Sequence, residues 1–336
     1  MFQSKSSKYI LLICVLIILL IIVSIISLCV GSAKINFSNI FYILFYQHNT
    51  WQYSVLTEIR LPRIILGFAV GGSLGLAGAL LQGVFRNPLV EPYTLGISGG
   101  ASLGVSLVIV LQLSSIFGLF VLPLAGFIGS LITMFFVYFL SAKKGVLKIN
   151  SLLLTGVMIS FISSSMVMLI MSVARPEALH SIIFWIMGSL SQPNSNLILI
   201  AFIVSVIGLI ISYFFCIKLN GLALGEDEAR NLGINTASTR KWVFLIASLL
   251  TGLSVSVAGV IGFVGLVVPH MIRLYTGPDH RILLLASFLT GAVFLIISDT
   301  IARVIISPLE LPVGVITGII GGVIFVYALN KKRMSL

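Results

Sequence analysis

Long stretches without charge alternate with short polar stretches along the whole chain. Apolar runs of about 18 or more residues predict membrane-spanning helices. The charge-free stretches cover 9–33, 64–85, 92–142, 149–174, 178–217, 242–272, 282–298 and 311–330. A polar interruption at 112–115 divides the third stretch into two spans. The QPNSN segment at 192–196 separates one full span from a shorter piece, 181–191. The pattern predicts an all-α polytopic membrane protein.

The stretch 242–272 decides whether the total is nine spans or ten, because it is long for one span and short for two. Lys and Arg concentrate on the cytoplasmic side of membrane proteins. With ten spans and a cytoplasmic N-terminus, only five of the 20 Lys and Arg residues fall outside: Lys34, Arg60, Arg63, Arg175 and Arg303. With nine spans the two sides are nearly equal. We therefore predict ten spans, a turn near 259–262 and both termini in the cytoplasm.

Composition and missing motifs narrow the class further. The chain is 59% hydrophobic, has a mean hydropathy of +1.19 and is only 9% charged. A net charge of +11 would suggest nucleic-acid binding in a soluble protein, but here it reflects basic cytoplasmic loops. The sequence contains no P-loop, H-E-x-x-H or nucleophile-elbow motif, and its cysteines and histidines lack metal-site spacing. These absences argue against ATP binding by this chain and against an intramembrane enzyme.

The segment LGEDEARNLGIN, 224–235, is dense in charge within a chain that has little, and it lies between predicted spans six and seven. Acidic residues in a first helical turn complement the helix dipole, and Gly233 suits the helix end. Such a short helix is marginal in water on its own. The segment is therefore either a solvated loop or a docking helix for a cytoplasmic partner.

Small residues recur every four positions in span two and again in the last span. Such faces allow helix backbones to approach closely in a membrane. They predict helix packing at Gly67, Gly71, Gly75 and Gly83, with Ala79 between them, and at Gly314, Gly318 and Gly322.

Few polar residues lie inside the spans. Asp299 and Arg303 are four residues apart, so an internal ion pair is expected, with a proton-relay role for Asp299 as the alternative. Span five is rich in Ser and Met. Membrane serines commonly bond to their own helix backbone, whereas a soft methionine surface can line a passage for a large, variable ligand. The candidate lining residues are Ser160, Ser164, Met168 and Met171.

Several stretches together carry a resemblance. They are EIRLPRIILGFAVGGSLGLAGALLQGVFRNPLVEPYTLGISGGASLG (58–104), GEDEARNLGI (225–234) and GVIGFVGLVVPHMIRLYTGPDHR (259–281), followed by DTIARVI and ELPVGVITGIIGG. From about Glu58 onward, in order and spacing, the chain resembles permease subunits of binding-protein-dependent ABC importers for iron complexes and cobalamin. The first 57 residues match only in having one span and an outer loop.

The resemblance implies the type II ABC importer architecture: ten transmembrane helices with short cytoplasmic coupling helices, in one permease domain over 1–336. It implies a multi-pass protein of a prokaryotic cell membrane. The expected partners are a second permease subunit, identical or homologous, two cytoplasmic ATPase subunits, an extracytoplasmic substrate-binding protein and membrane lipid, without nucleic acid. No cofactor or metal is expected on this chain, since ATP would bind the ATPase subunits.

The resemblance also assigns roles to residues. The coupling loop, about 219–240, would contact the ATPase through Glu226, Asp227, Glu228, Ala229, Arg230, Leu232 and Gly233. A general importer signature has E-A-A before its glycine, whereas this chain has Glu228-Ala229-Arg230. Arg60, Arg63 and Arg303 would meet acidic residues of the binding protein. Span five and the piece 181–191 would line the pathway, and spans five and ten would form the subunit contact.

The expected function is therefore that of a non-enzymatic permease subunit for an iron(III) chelate of the siderophore type. Cobalamin and haem are alternatives within the same architecture. An ion-coupled secondary transporter that uses Asp299 is the alternative from another class, but a carrier has no need of a docking helix.

Overall fold

The computed structural model describes residues 2–31, 35, 37–46, 50–143, 146–307 and 309–333. The helices of the first half are α1 (Phe2–Cys29), α2 (Phe37–Tyr46), α3 (Trp51–Ser54), α4 (Leu61–Phe85), α5 (Ile97–Val110), α6 (Leu113–Phe117), α7 (Val121–Ser141) and α8 (Ile149–Val173). Those of the second half are α9 (Pro176–Met187), α10 (Ser195–Tyr213), α11 (Cys216–Leu224), α12 (Glu226–Asn231), α13 (Thr236–Ala258), α14 (Val264–Thr276), α15 (His280–Val304) and α16 (Val313–Arg333).

Shorter elements complete the chain. A π-helical stretch, Val55–Arg60, joins α3 to α4 without a break, and a 3-10 turn, Pro92–Leu95, precedes α5. Two-residue strands β1 (Ala142–Lys143) and β2 (Val146–Leu147) pair antiparallel between α7 and α8, with Ala142 opposite Leu147. Because β1 and β2 are so short, the fold is in effect all-helical.

Ten helices correspond to the ten predicted spans: α1, α4, α5, α7, α8, α10, α13, α14, α15 and α16. Within the described residues, seven helices are long and apolar enough to cross a membrane by themselves. The remaining three, α5, α14 and α16, are shorter or less apolar there. The prediction of an all-α polytopic membrane protein is confirmed, with α13 and α14 as the two halves of the ambiguous stretch.

Helix α4 is the centre of the fold, and α13 and α15 pack beside it. The most apolar window of α4 is 89% buried, against 11% for α1 and 17% for α8. A methyl group built on Gly71 or Gly75 would overlap the carbonyl oxygen of Gly291 or Ser287 in α15. The small-residue face of α4 therefore lies directly against the α15 backbone, as close packing in membranes requires.

The predicted packing glycines do not all behave alike. Gly67 lies against Ile296, and a methyl group there would reach 3.0 Å from its side chain. Gly83 faces the His280 ring. In α16, by contrast, a methyl group on Gly318 meets nothing within 4 Å, and one on Gly322 only touches Phe263 at 3.9 Å. The described chain thus offers Gly318 no packing partner, so helix packing through Gly318 stays a prediction.

The break between α13 and α14 is held by hydrogen bonds from the segment before α5. Tyr93 Oη donates to Ile261 O over 3.0 Å and accepts from Ile261 N over 3.1 Å. The Glu91 carboxylate accepts from Phe263 N over 2.8 Å, where Phe263 has a left-handed φ of 68°. Gln82 donates to Leu266 O over 3.2 Å. Irregular backbone at membrane depth requires such partners, so two distant segments form one unit.

Three backbones meet at a second point, the glycine junction, defined by Gly188, Gly259 and Gly314. The amide after Gly188 donates to Ala258 O over 2.8 Å, and Val313 N donates to Gly188 O over 3.1 Å. A methyl group on Gly314 would lie 2.7 Å from Val260 O and would overlap Met187 O. The ends of α9 and α13 and the start of α16 are therefore in direct backbone contact.

Candidate coupling, docking and pathway sites

The segment between α10 and α13 contains the predicted coupling helix, and ion pairs attach it to the spans. The Glu226 carboxylate accepts from Arg230 on α12 and from Arg240 on α13, each over 2.7 Å. The hydrogen bond from Arg240, with its positive charge, lowers the pKa of Glu226 below its usual value. On the other side, the Asn220 amide donates to Asp279, the N-cap of α15, over 2.8 Å. The segment is thus tied to both α13 and α15.

Exposure within this segment separates two groups of residues. Asp227, Glu228 and Arg230 point to solvent, and Leu232 is 63% exposed. Ala229 is 0% exposed and packs into the main apolar core. The expectation that Ala229 contacts a partner is therefore corrected: its side chain faces the spans, because that is the inner face of α12.

The exposed surface includes one residue that the sequence reasoning missed. Leu224, just before α12, is 67% exposed, so two leucines flank the acidic turn on its open side. Gly233 follows with a left-handed φ of 77° and ends the turn, as its residue type predicts. Because this loop is predicted to lie in the cytoplasm, we call Leu224, Asp227, Glu228 and Leu232 the cytoplasmic surface.

The three predicted docking arginines form one cluster beside the end of α1. Arg303 Nη2 donates to Ser27 Oγ over 2.7 Å, and Arg60 donates to Leu28 O. Arg303 Nε lies 2.9 Å from Asp299 Oδ2. Arg63 Nη2 lies 2.7 Å from Glu310 Oε2, and its Nη1 lies 3.9 Å from Asp299 Oδ1. The expected Asp299–Arg303 pair is part of a larger arrangement, the outer cluster: Arg60, Arg63, Asp299, Arg303 and Glu310.

Burial in the outer cluster differs from the sequence expectation. Arg60, Arg63 and Arg303 are only 3%, 8% and 5% exposed, whereas the Glu310 side chain is 49% exposed. Contact between these arginines and another protein would require them to leave or share their present partners. The expectation located the arginines but missed Glu310, whose signal is an acidic residue just before the last span. Lys34, also predicted outside, lies beyond the described residues.

The predicted pathway residues lie along α8, which is largely uncovered by the rest of the chain. Ser160 Oγ donates to Gly156 O over 3.0 Å, the common self-bonding pattern. Ser164 is exposed and Met168 is 69% exposed, while Met171 is half-buried. The packed side of α8 is marked by Gly156, which lies against the backbone of Thr94 and Leu95. The structure therefore gives α8 one packed and one open face.

An apolar cavity of about 240 Å³ lies at the opposite end of α9 from Pro176. Its wall is formed by residues from α7, α9, the QPNSN segment and the end of α13, including Trp185, Gln192 and Ser256. In the part of the chain that the structure describes, no three His, Cys, Asp or Glu residues cluster in a way that could hold a metal ion.

Comparison with known proteins gives this geometry a family. Residues 19–331 match the model of the FecCD transport family. The chain is 41% identical to the Fe(3+) dicitrate transport system permease protein FecD of Escherichia coli, over 84% of this chain and 86% of that protein. It is 39% identical to the cobalamin import system permease protein BtuC of Halobacterium salinarum, over 83% of this chain and 74% of that protein.

A solved structure agrees with the sequence relatives. An inward-facing conformation of a metal-chelate type ABC transporter covers 96% of this chain at 31% identity, with a TM-score of 0.83, and 99% of its own length is matched. The type II importer fold that the resemblance implied is thus confirmed. The family consists of multi-pass permease subunits of ABC importers in the plasma membrane, which are transport components and not enzymes. With nearly its whole length matched, the chain belongs to the FecCD transport family.

Proposed function

We propose that this permease forms half of the translocation pathway for an iron(III) chelate of the siderophore type, which a binding protein delivers and ATP hydrolysis drives inward. The described residues offer no metal-ligand cluster, so the cargo would cross as an intact complex, with selection made by the binding protein. The iron dicitrate relative supports this cargo class, while the cobalamin relative keeps cobalamin as a second candidate, with haem beside it.

The observation that carries the coupling part of the proposal is the cytoplasmic surface. Leu224 and Leu232 are exposed apolar residues on either side of Asp227 and Glu228. Exposed apolar groups with a charged rim are typical of protein contact sites. We assign this surface to the ATPase. Ion pairs through Glu226 and the Asn220–Asp279 hydrogen bond would pass its movement to α13 and α15.

The open face of α8 supports a second permease subunit. Exposed serines such as Ser164 and Ser165 are poorly placed against lipid, where polar groups seek protein partners or water. Met166 and Met168 on the same stretch give a deformable surface. We assign this face to the pathway and the subunit contact, with α16, whose Gly318 is uncovered, as the second contact helix.

The proposed orientation places both termini in the cytoplasm. It predicts that the connection between α14 and α15 is cytoplasmic, with exposed Pro278 at its tip. In a background with Cys14, Cys29 and Cys216 replaced by Ser, P278C should react with an impermeant maleimide only after the membrane is opened. Labelling of intact cells would reverse the orientation.

The ATPase assignment is tested by Leu232→Ser. We expect the permease to reach the membrane and bind its outer partner, while ATPase co-purification and stimulated hydrolysis fall about tenfold, since losing a leucine side chain buried at the contact costs about 1.4 kcal/mol or more. Leu274→Ser is the matched control, because Leu274 is 50% exposed at the same end of the spans but lies outside the cytoplasmic surface. Equal loss in both variants, or none in either, would contradict the assignment.

The cargo is tested by uptake into proteoliposomes that hold the permease, its ATPase and the loaded binding protein. Radiolabelled ferric hydroxamate, ferric citrate, haem and cobalamin are compared at equal concentration. We expect an iron chelate to be taken up with ATP and without dependence on a proton gradient. The two Asp299 oxygens are already held by Arg303 and Arg63, which disfavours the ion-coupled alternative. Gradient-driven uptake without ATP would restore that alternative.

A further inference from the structure

Glu310 is the one member of the outer cluster that is open to the outside. Its side chain is 49% exposed, whereas its partner Arg63 is 9% exposed and Asp299 is 5% exposed. Its carboxylate lies 2.7 Å from Arg63 Nη2, a charge-assisted hydrogen bond of ordinary strength. A group approaching Arg63 from the outer side therefore meets the Glu310 carboxylate at the same guanidinium.

The two carboxylates that contact Arg63 are held in place to different degrees. The Arg63 guanidinium contacts the carboxylates of both Asp299 and Glu310, and Asp299 also contacts Arg303. Asp299 is fixed by its position inside α15 and by its bond to Arg303. Glu310 belongs to the connection between α15 and α16, so its side chain can leave Arg63 without moving a residue inside α4 or α15. The exchangeable carboxylate of the cluster is that of Glu310.

We propose that Glu310 is an internal counter-ion that occupies Arg63 until an acidic side chain of the docking binding protein replaces it. This rests on the proposed function, since it requires a binding protein at the outer face. It also gives the buried Arg63 guanidinium a partner on its open side, the chain's own Glu310 carboxylate, while no binding protein is present. Ligand exchange at one guanidinium then needs no unpaired buried charge at any stage, which would be costly.

The connection that carries Glu310 leads directly to the glycine junction. Leu311 N donates to Ala302 O over 3.0 Å, and two residues later Val313 N donates to Gly188 O. Release of Glu310 therefore loosens the start of α16, which holds the end of α9. A movement caused by docking at the outer face would be transmitted to α9 through the backbone of residues 310–313.

The test compares Glu310→Gln with Glu58→Gln in the full permease–ATPase complex in nanodiscs. Both changes remove one negative charge from the same face, but exposed Glu58 lies in the π-helical stretch and has no ion pair among the described residues. Affinity for the loaded binding protein is measured by biolayer interferometry at several salt concentrations. We expect E310Q to raise affinity about two- to tenfold, the range of an exposed ion pair, and E58Q to leave it within twofold.

Further variants test whether the effect of Glu310 on docking depends on Arg63. The gain from E310Q should vanish when Arg63→Gln is also present, as a double-mutant cycle requires of coupled residues. E310D, which keeps the charge on a shorter side chain, should give a smaller gain. Hydrogen exchange at 309–315 should speed up in E310Q and on docking to the wild type.

The outcomes distinguish failure of the counter-ion role of Glu310 from failure of the proposed function. Unchanged or weaker docking in E310Q, with wild-type docking intact, overturns the counter-ion role alone. An equal gain in E58Q also overturns it, because the effect would then be general charge repulsion. No docking to the wild type at all would refute the proposed function, and this inference with it.

Discussion

Asp299 and Arg303 form a buried ion pair one helical turn apart, 2.9 Å between Oδ2 and Nε, with both side chains 5% exposed. The second Asp299 oxygen faces Arg63 at 3.9 Å, so one carboxylate serves two arginines from different helices. This single acidic residue joins α15 to α4, and through Arg303 to the end of α1. The packing of three helices at one face therefore depends on it.

Replacing Asp299 with Asn should be strongly destabilising. The change leaves Arg303 buried without its counter-charge and Arg63 with Glu310 alone, and breaking a buried pair from one side costs about 3–5 kcal/mol. We expect a clear fall in the thermal unfolding midpoint of the detergent-solubilised permease. Asp227→Asn, an exposed acid in α12, should leave the midpoint unchanged. Equal stability of the two variants would show that Asp299 does not hold the cluster together.

Gly314→Ala should disrupt the glycine junction. The new methyl group would meet two backbone carbonyl oxygens, one of them at 2.7 Å, and neither can move aside as a side chain could. Overpacking of this kind costs about 1–3 kcal/mol. Gly318→Ala lies one turn further along the same helix in open space and should keep the stability of the single chain. Thermal midpoints and uptake rates of the two variants check this; a normal Gly314→Ala protein would contradict the close contact.

Tyr93→Phe should destabilise the irregular segment between α13 and α14. The phenol is both donor and acceptor for Ile261, so its removal leaves one N–H and one C=O unpaired at membrane depth. An unsatisfied buried group costs about 1–3 kcal/mol. Chemical denaturation in mixed micelles measures the loss. Tyr213→Phe, at the exposed end of α10, removes the same atom where the described residues offer it no hydrogen-bond partner, and it should leave the stability unchanged. Identical denaturation curves for the two variants would show that the Tyr93 hydroxyl does not stabilise this segment.

A fall in pH should loosen the packing of α12, the predicted coupling helix, against α13. The pKa of Glu226 is depressed by Arg240 and Arg230, so this carboxylate stabilises the folded loop above its ordinary pKa of 4.5. That stability is lost as the pH falls below 4.5 and through the lowered folded value. Because Glu226 is one-third exposed, the loss is modest, about 0.3–1 kcal/mol. Hydrogen exchange of 226–234 should rise below pH 4.5 in the wild type, while Glu226→Gln should exchange fast at every pH. A flat wild-type profile would contradict the linkage.

The spans could be predicted from the sequence because the hydropathy and charge of each segment depend only on its own residues. The positions of the Lys and Arg residues relative to the apolar runs were enough to choose ten spans over nine. The burial of the Ala229 side chain could not be predicted, because a six-residue helix has too few turns to define an apolar face. The partners of the arginines were also hidden, because Ser27 and Glu310 come from segments 276 and 247 residues away along the chain. Glu91 left only a weak signal in the sequence, an acidic residue at the edge of an apolar run.

The shortness of α14 bears on how the protein enters the membrane. Its 13 residues span about 20 Å, less than the roughly 30 Å of hydrocarbon, and they include Arg273 and Pro269. A segment of this kind is a poor substrate for insertion alone, so it should enter as a hairpin with α13. The polar backbone at the tip of that hairpin is satisfied by Glu91 and Tyr93, which are synthesised more than 160 residues earlier. We therefore expect the turn of the α13–α14 hairpin to pack against an already inserted first half of the chain during biogenesis.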